Sequence, residues 1–244
     1  MNSHWDDAVT RLEKSLRDIL DNHPTPLGAE YRYAHLSLAL IDAIFSIGAR
    51  YSSTQQTVKR YADYSGLSLF RDSFDDWPNT TEQQPLSELV TQFKALGLET
   101  LTTEVFRNRQ RTSTQNGILK AEAVRQAAML LVDNNVEYFQ DMPRIMNNSY
   151  FRQQFCQIKG QTSGISLSYF WMLTGSRDLI KPDRHVMTYL RRVSGNATLT
   201  ETKALEMVQQ VSKRLQSDFP HVSPRWLDYL IWNDQRRRDS NSKP

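Results

Sequence analysis

The stretch Phe155-Cys-Gln-Ile-Lys-Gly-Gln-Thr-Ser-Gly-Ile-Ser-Leu-Ser-Tyr-Phe170, followed by Ile180-Lys-Pro-Asp-Arg-His-Val186, decides the reading of this chain. It reads as a helix, a tight polar turn holding Gly160 and Gly164, and a second helix. A third helix then starts at Asp183, behind Pro182, and Asp is a favoured N-cap residue. Glycine has no Cβ, so such a turn can bring its backbone close to a partner. Amides at the head of the second helix lack partners and sit at the positive end of the helix dipole, which suits a phosphate. Lys159 adds a charge beside Gly160, and the turn can also aim carbonyls at a monovalent cation. The simpler reading is a plain corner between helices, with the glycines serving chain geometry and Asp183 serving only as a cap.

Helical spacing continues outward in both directions. Trp5, Val9, Leu12, Leu16 and Leu20 recur three or four apart and predict one amphipathic helix, ended by Pro24 and Pro26. Leu36, Leu40, Ile41, Ile44, Phe45 and Ile47 predict a helix apolar over much of its circumference, hence central. Ser52-Ser-Thr is placed to cap the next one, with Val58 and Tyr61 facing inward. Asp75 to Pro85 reads as a polar loop, and shorter helices follow near Leu86–Leu96 and Thr100–Asn108. Lys120 to Val132 resumes the helical period after the break at Ser113–Gly117. Ser223-Pro224 carries the signature of a capped helix start, with Trp226, Leu227, Leu230 and Ile231 after it. The tail from Arg236 reads as frayed. Alternating strand-like runs are nearly absent, so the predicted class is all-α with roughly ten helices.

At 244 residues the chain can bury a real core, and 39% hydrophobic against 23% charged residues mark a globular protein. A formal charge of +3 is compatible with nucleic acid without demanding it. Cys156 is the only cysteine, which excludes disulfide frameworks and cysteine-ligated zinc or iron–sulfur sites within one chain. The histidines are scattered and show no metal spacing. No apolar run approaches the roughly 18 residues a membrane helix needs, and the N-terminus has no secretion signal. The expected setting is a bacterial-type cytosol, or a nucleus.

These residues resemble the helix-hairpin-helix (HhH-GPD) DNA glycosylase superfamily, on its endonuclease III-like side. The hairpin of that family reads Leu-Pro-Gly-Val-Gly-x-Lys-Thr-Ala, and here Ile158-Lys-Gly-Gln-Thr-Ser-Gly-Ile-Ser166 corresponds. The family then has Val-Asp-Thr-His-Val with a catalytic Asp; here Pro182-Asp-Arg-His-Val186 stands in its place. Asp183 lies 19 residues after Gly164 (183 − 164), close to the family's separation. Ile44-Phe-Ser-Ile-Gly-Ala-Arg-Tyr-Ser-Ser-Thr54 is similar to the Ile-Leu-Ser-x-Gln-x-Thr segment, which carries a wedge residue and part of the base pocket. Asn116-Gly-Ile-Leu-Lys-Ala121 with Val124 is similar to the Tyr-x-x-Lys-Ala-x-x-Ile helix start. The resemblance spans about residues 36–195. It departs from the family at Gln161, in an apolar slot, at Thr162, in a glycine slot, and at Gly164, where lyase-active members carry a Schiff-base lysine.

The resemblance implies a two-lobed helical fold with a central cleft: residues 1–36 with 177–244 as a discontinuous lobe carrying Asp183, and residues 37–176 as a helical barrel ending in the hairpin. It implies a glycosylase that hydrolyses the N-glycosidic bond of a flipped, damaged or modified base in double-stranded DNA. The activity would be monofunctional, with Lys159 and Lys181 the nearest other amines. Asp183 is the expected catalytic residue, and Lys159, Gly160, Gln161, Thr162, Ser163 and Gly164 the expected backbone clamp. Arg50 and Tyr51 are the expected wedge or pocket residues; Arg109, Arg111 and Lys120 are further DNA contacts. No cofactor and no metal is expected beyond a monovalent cation at the hairpin carbonyls, and the protein is expected to act as a monomer. Two other classes stay open: a non-catalytic hairpin protein that binds damaged or structured DNA, and a helical protein–protein adaptor.

Overall fold

The computed structural model describes residues 3–22, 25–74, 76–146 and 148–241, with backbone alone at 3 and 241. Pro24, Asp75 and the last three residues of the tail lie outside the described residues. Among the described residues ten α-helices run in order: α1 Ser3–Asn22, α2 Leu36–Phe45, α3 Tyr51–Ser65, α4 Leu86–Thr100, α5 Lys120–Asp133, α6 Ser149–Gln157, α7 Ile165–Leu173, α8 Arg184–Ser194, α9 Glu201–Leu215 and α10 Pro224–Asn241. Among the described residues there is no strand, only two isolated bridges, Tyr33 with Phe70 and Arg111 with Leu119. The chain is all-α. No helix of the described residues is long and apolar enough to cross a membrane.

The chain divides into two compact units, Met1–Gly28 with Ser176–Pro244, and Ala29–Gly175. Residues 29–36, assigned to the discontinuous lobe by the resemblance, therefore go with the second unit. The reason is local. The short 3₁₀ turn Ala29–Arg32 packs on α7, and Tyr33 donates its phenol proton to Asp42 Oδ2 at 2.7 Å. Arg71 closes the arrangement by donating to the Tyr33 carbonyl at 2.6 Å and the Tyr31 carbonyl at 3.1 Å.

The first unit consists of α1, α8, α9 and α10. Val9, Leu12 and Leu16 of α1 meet Val186 and Leu190 of α8, Val208 and Val211 of α9, and Leu227 and Ile231 of α10 in one buried cluster. Those of α1 and α10 are the apolar stripes read from the sequence, and burying such a stripe is what makes each helix stable. Polar links span the same helices: Trp5 Nε1 to Gln210 Oε1 at 3.0 Å, and the Ser15 and Tyr189 hydroxyls 2.8 Å apart. Ser223 Oγ accepts from the Trp226 amide at 3.3 Å, as its N-cap position predicts. The tail is not frayed where it is described. The last helix continues through Arg236–Ser240, because Asp239 accepts from Gln235 Nε2 at 2.8 Å and sits 2.8 Å from His185 Nδ1.

The second unit is built around α2, every residue of which is buried. α3, α5 and α7 pack on it, and α4 packs on α5. Phe45, Tyr61, Phe93 and Phe106 form one aromatic cluster with centroids 5.2–6.2 Å apart. Gly97, at φ 74°, interrupts the end of α4 before a π turn at Leu101–Val105, where the sequence predicts two short helices. Ser52-Ser-Thr does not cap α3. The helix starts one residue earlier, at Tyr51, with Arg50 at the N-cap and no side-chain cap bond. The three polar residues thus fall inside the first turn, where Ser53 instead gives its carbonyl to Thr57 Oγ1 at 2.9 Å.

The end of α2 depends on a charge. Lys120, 3% exposed, donates its ammonium protons to the carbonyls of Phe45 at 2.8 Å and Ile47 at 2.7 Å, and to Gln110 Oε1 at 3.1 Å. A cation suits the negative end of a helix dipole, and the bonds complete carbonyls that α2 leaves open. Lys120→Met keeps the stem and removes the donors. It is expected to cost about 2–4 kcal/mol in urea unfolding, the loss typical of stripping a partner from buried polar groups.

Candidate active site

The hairpin forms as the glycine spacing predicts. α6 ends at Gln157, Ile158 turns the chain, and α7 begins after Gly164. Gly160 and Gly164 take φ of 87° and 70°, left-handed values that favour glycine. Two bonds close the turn: Gln161 N–H to the Ile158 carbonyl and Gly164 N–H to the Gln161 carbonyl, both 2.9 Å. Gln161 occupies the apolar slot of the resembled hairpin yet is only 2% exposed. Its burial is satisfied within the turn, because Ser166 Oγ donates to Gln161 Oε1. Lys159, Gly160, Thr162 and Ser163 face outward.

The amides of Gly160, Thr162, Ser163, Ser166 and Leu167 have no hydrogen-bond partner among the described residues. α7 has no side-chain cap, since its N-cap residue is Gly164. The first bond into the helix is Ser168 N–H to the Gly164 carbonyl at 3.0 Å. The turn therefore presents a group of donors next to an uncapped helix start. The absent Cβ of Gly160 serves a contact inside the protein. A methyl group there would come within 2.3 Å of Thr112 Cβ.

Asp183 belongs to the first unit and is half-buried at the head of α8. Its Oδ1 accepts from the amides of His185 at 2.9 Å and Val186 at 3.0 Å. Oδ2 accepts from no described residue. His185 stands between Asp239 and Trp232, whose ring it meets edge-on at 6.3 Å. Its role is to hold α8 on α10.

The other expected residues divide. Arg50 is exposed at the head of α3, and the turn that carries it is the one Lys120 clamps through the Phe45 and Ile47 carbonyls. Lys120 is thus an internal strut and cannot reach solvent as a phosphate contact. Tyr51 is half-buried, its hydroxyl 3.4 Å from Asp42 Oδ2. Arg109 is exposed and paired with Glu99 at 2.5 Å. Arg111 is exposed but donates to the Gly117 carbonyl at 2.7 Å, closing the loop whose ends pair at Arg111 and Leu119. That loop also carries Thr112, so the stretch before α5 touches both the hairpin and, through Lys120, the end of α2. Tyr169 and Trp171 are core residues, 4% and 5% exposed. Trp226 and Trp232 pack partly buried on the core of the first unit.

Two acids buried within α-helices were not singled out from the sequence. Asp42, on the fully buried α2, faces Tyr33 and Tyr51, and burial together with its charge holds both phenols well above their usual range. Asp228, 4% exposed on α10, accepts the Lys181 amide at 2.9 Å. Burial, then the charge of Asp183, push its carboxyl well above the usual carboxylate range, against the pull of Lys181. The signal for both was present: each is a lone acid inside an otherwise apolar run, Leu38–Phe45 and Trp226–Ile231. Among the described residues no group of three or more His, Cys, Asp or Glu side chains is placed to share a metal ion.

Gly160→Ala should combine a strained backbone with the Thr112 contact. The expected loss is about 2–4 kcal/mol by urea unfolding, above the roughly 1 kcal/mol of left-handed strain alone. Shortening Thr112 to Gly in the same chain should return the excess and leave the strain.

No curated protein and no solved structure matches the chain. Residues 10–236, from within α1 to within α10, match the model of a family described as a domain of unknown function (DUF8548), and the chain belongs to that family.

Proposed function

We propose that the chain is a monofunctional DNA N-glycosylase that hydrolyses the bond between deoxyribose and a damaged or modified base. One observation carries the reading: a carboxylate with one oxygen fixed by two amides and the other, like several amides of the two-glycine turn 19 residues before it (183 − 164), without a partner among the described residues. The fold that goes with it is the two-lobed helical glycosylase fold.

Breaking an N-glycosidic bond builds positive charge on the sugar, as in other glycoside hydrolyses. An anion held beside C1′ stabilises that charge and can orient or deprotonate the attacking water. Asp183 suits this because its cap bonds fix one oxygen and leave the other for the reaction. The amides of Gly160, Thr162 and Ser163, with Lys159 beside them, suit a phosphate of the DNA backbone, a contact that positions without reading sequence. The target base must leave the stack to be cut, and Arg50, on its exposed turn, is a candidate to fill the gap. Gly164 offers no amine for a Schiff base, so the product is an abasic site with the strand intact. Lys120, buried, drops out of the proposed contact set; Arg109 and Arg111 remain in it.

Asp183→Asn should keep the cap, so stability should change by less than about 1 kcal/mol. Base release in single-turnover assays should fall about a hundredfold or more while DNA affinity holds. Free bases are to be sought by mass spectrometry after incubation with alkylated, deaminated, oxidised and phage-modified DNA. Binding without any released base would make the protein a non-catalytic hairpin binder instead. Lys159→Ala should lower the slope of log affinity against log salt by about 0.9 if that ammonium meets a phosphate. An unchanged slope would remove the hairpin from the interface.

A further inference from the structure

We propose that Asp183 and Asp228 work as a carboxyl pair joined through the main chain of Lys181, in which Asp228 is the positioning member and Asp183 the reacting one. This rests on the reading of Asp183 as the glycosylase carboxylate. The connection is short. Asp228 Oδ1 accepts the Lys181 amide at 2.9 Å, and the Lys181 carbonyl accepts the Asp183 amide at 2.6 Å. The turn that aims Asp183 therefore hangs from a side chain of α10.

The two acids have unlike surroundings. Asp183 is half-buried at the head of α8 and receives two amide bonds. Asp228 is 4% exposed and receives one amide bond. The charged groups that act on it are Asp183 and Lys181; among the described residues, none from α1 or α9, the other helices packed on α10, does. Burial and the neighbouring charge of Asp183 both make the anion of Asp228 costly, which keeps a proton on the drier carboxyl to higher pH. Asp228 touches no substrate in this scheme. It sets the position of Asp183 through the main chain of Lys181.

Two measurements test the pair. The first needs no activity: urea unfolding against pH for the wild type, Asp228→Asn, Asp183→Asn and the double variant. A carboxyl that keeps its proton to higher pH when folded makes stability fall as pH rises, from the unfolded value of about 3.9 up to the folded one. Asn does not titrate, so Asp228→Asn should flatten this fall. With Asp183→Asn the like charge is gone, and the fall due to Asp228 should end at lower pH. Equal pH dependence in the wild type and Asp228→Asn, or a fall that Asp183→Asn leaves unmoved, would overturn the pair.

The second is single-turnover base release at saturating enzyme. Asp228→Asn retains an acceptor for the Lys181 amide and should stay within about twofold of the wild type, whereas Asp228→Leu should be about tenfold slower or more at unchanged DNA affinity. Equal rates in the two variants would remove the positioning role. Should the Leu variant fail to fold, the unfolding series with Asn decides. Should the wild type release no base from any substrate, the glycosylase reading falls, and the unfolding series still decides whether the two carboxyls share one proton.

Discussion

A helix starts with amides that nothing inside it can satisfy, and the protein treats this constraint in two opposite ways. At α8 the need is met by Asp183, whose Oδ1 takes both the His185 and Val186 amides. At α7 the N-cap is glycine, whose lack of a side chain leaves no cap, and the amides of Ser166 and Leu167 have no partner among the described residues. A capped start fixes an acid in place with an oxygen to spare. An uncapped start leaves donors for an anion from elsewhere. The proposed chemistry needs one of each: a fixed anion for a developing cation, and free donors for a phosphate.

Four buried polar residues of the interior have partners that also bear on the functional reading. Gln161 is buried against Ser166. Lys120 is buried against the carbonyls that end α2. Asp42 is met by the hydroxyls of Tyr33 and Tyr51, and Asp228 by the Lys181 amide. Buried polar groups without partners are costly, so each of these bonds also fixes geometry. The segments they fix are the ones the functional reading uses: the hairpin, the turn with Arg50, and the approach to Asp183.

Much of this was legible in the residues, for identifiable reasons. Periodicity gave the helices because burial of a stripe is what stabilises them, so the all-apolar run from Leu36 to Phe45 became the central helix. Asp183 was readable as a cap because Pro182 precedes it and the apolar period follows. Other features were not legible. Ser52-Ser-Thr matches a cap by composition, but packing started α3 at Tyr51 and overrode it. Lys120 reads as a surface cation, and only tertiary contact shows that the end of α2 draws it inside. The basic tail reads as loose, yet Asp239 is tied to His185, 54 residues away in the chain. Partnerships of that range leave no local pattern in a single sequence.

The contact between Gly160 and Thr112 links two segments far apart in the chain. Gly160 cannot gain a side chain without displacing Thr112, because the bare glycine supplies the space that the threonine fills. Across the family, a side chain at the glycine position should therefore occur only beside a residue smaller than threonine at its counterpart, and the loop ahead of α5 should evolve in step with the hairpin it supports.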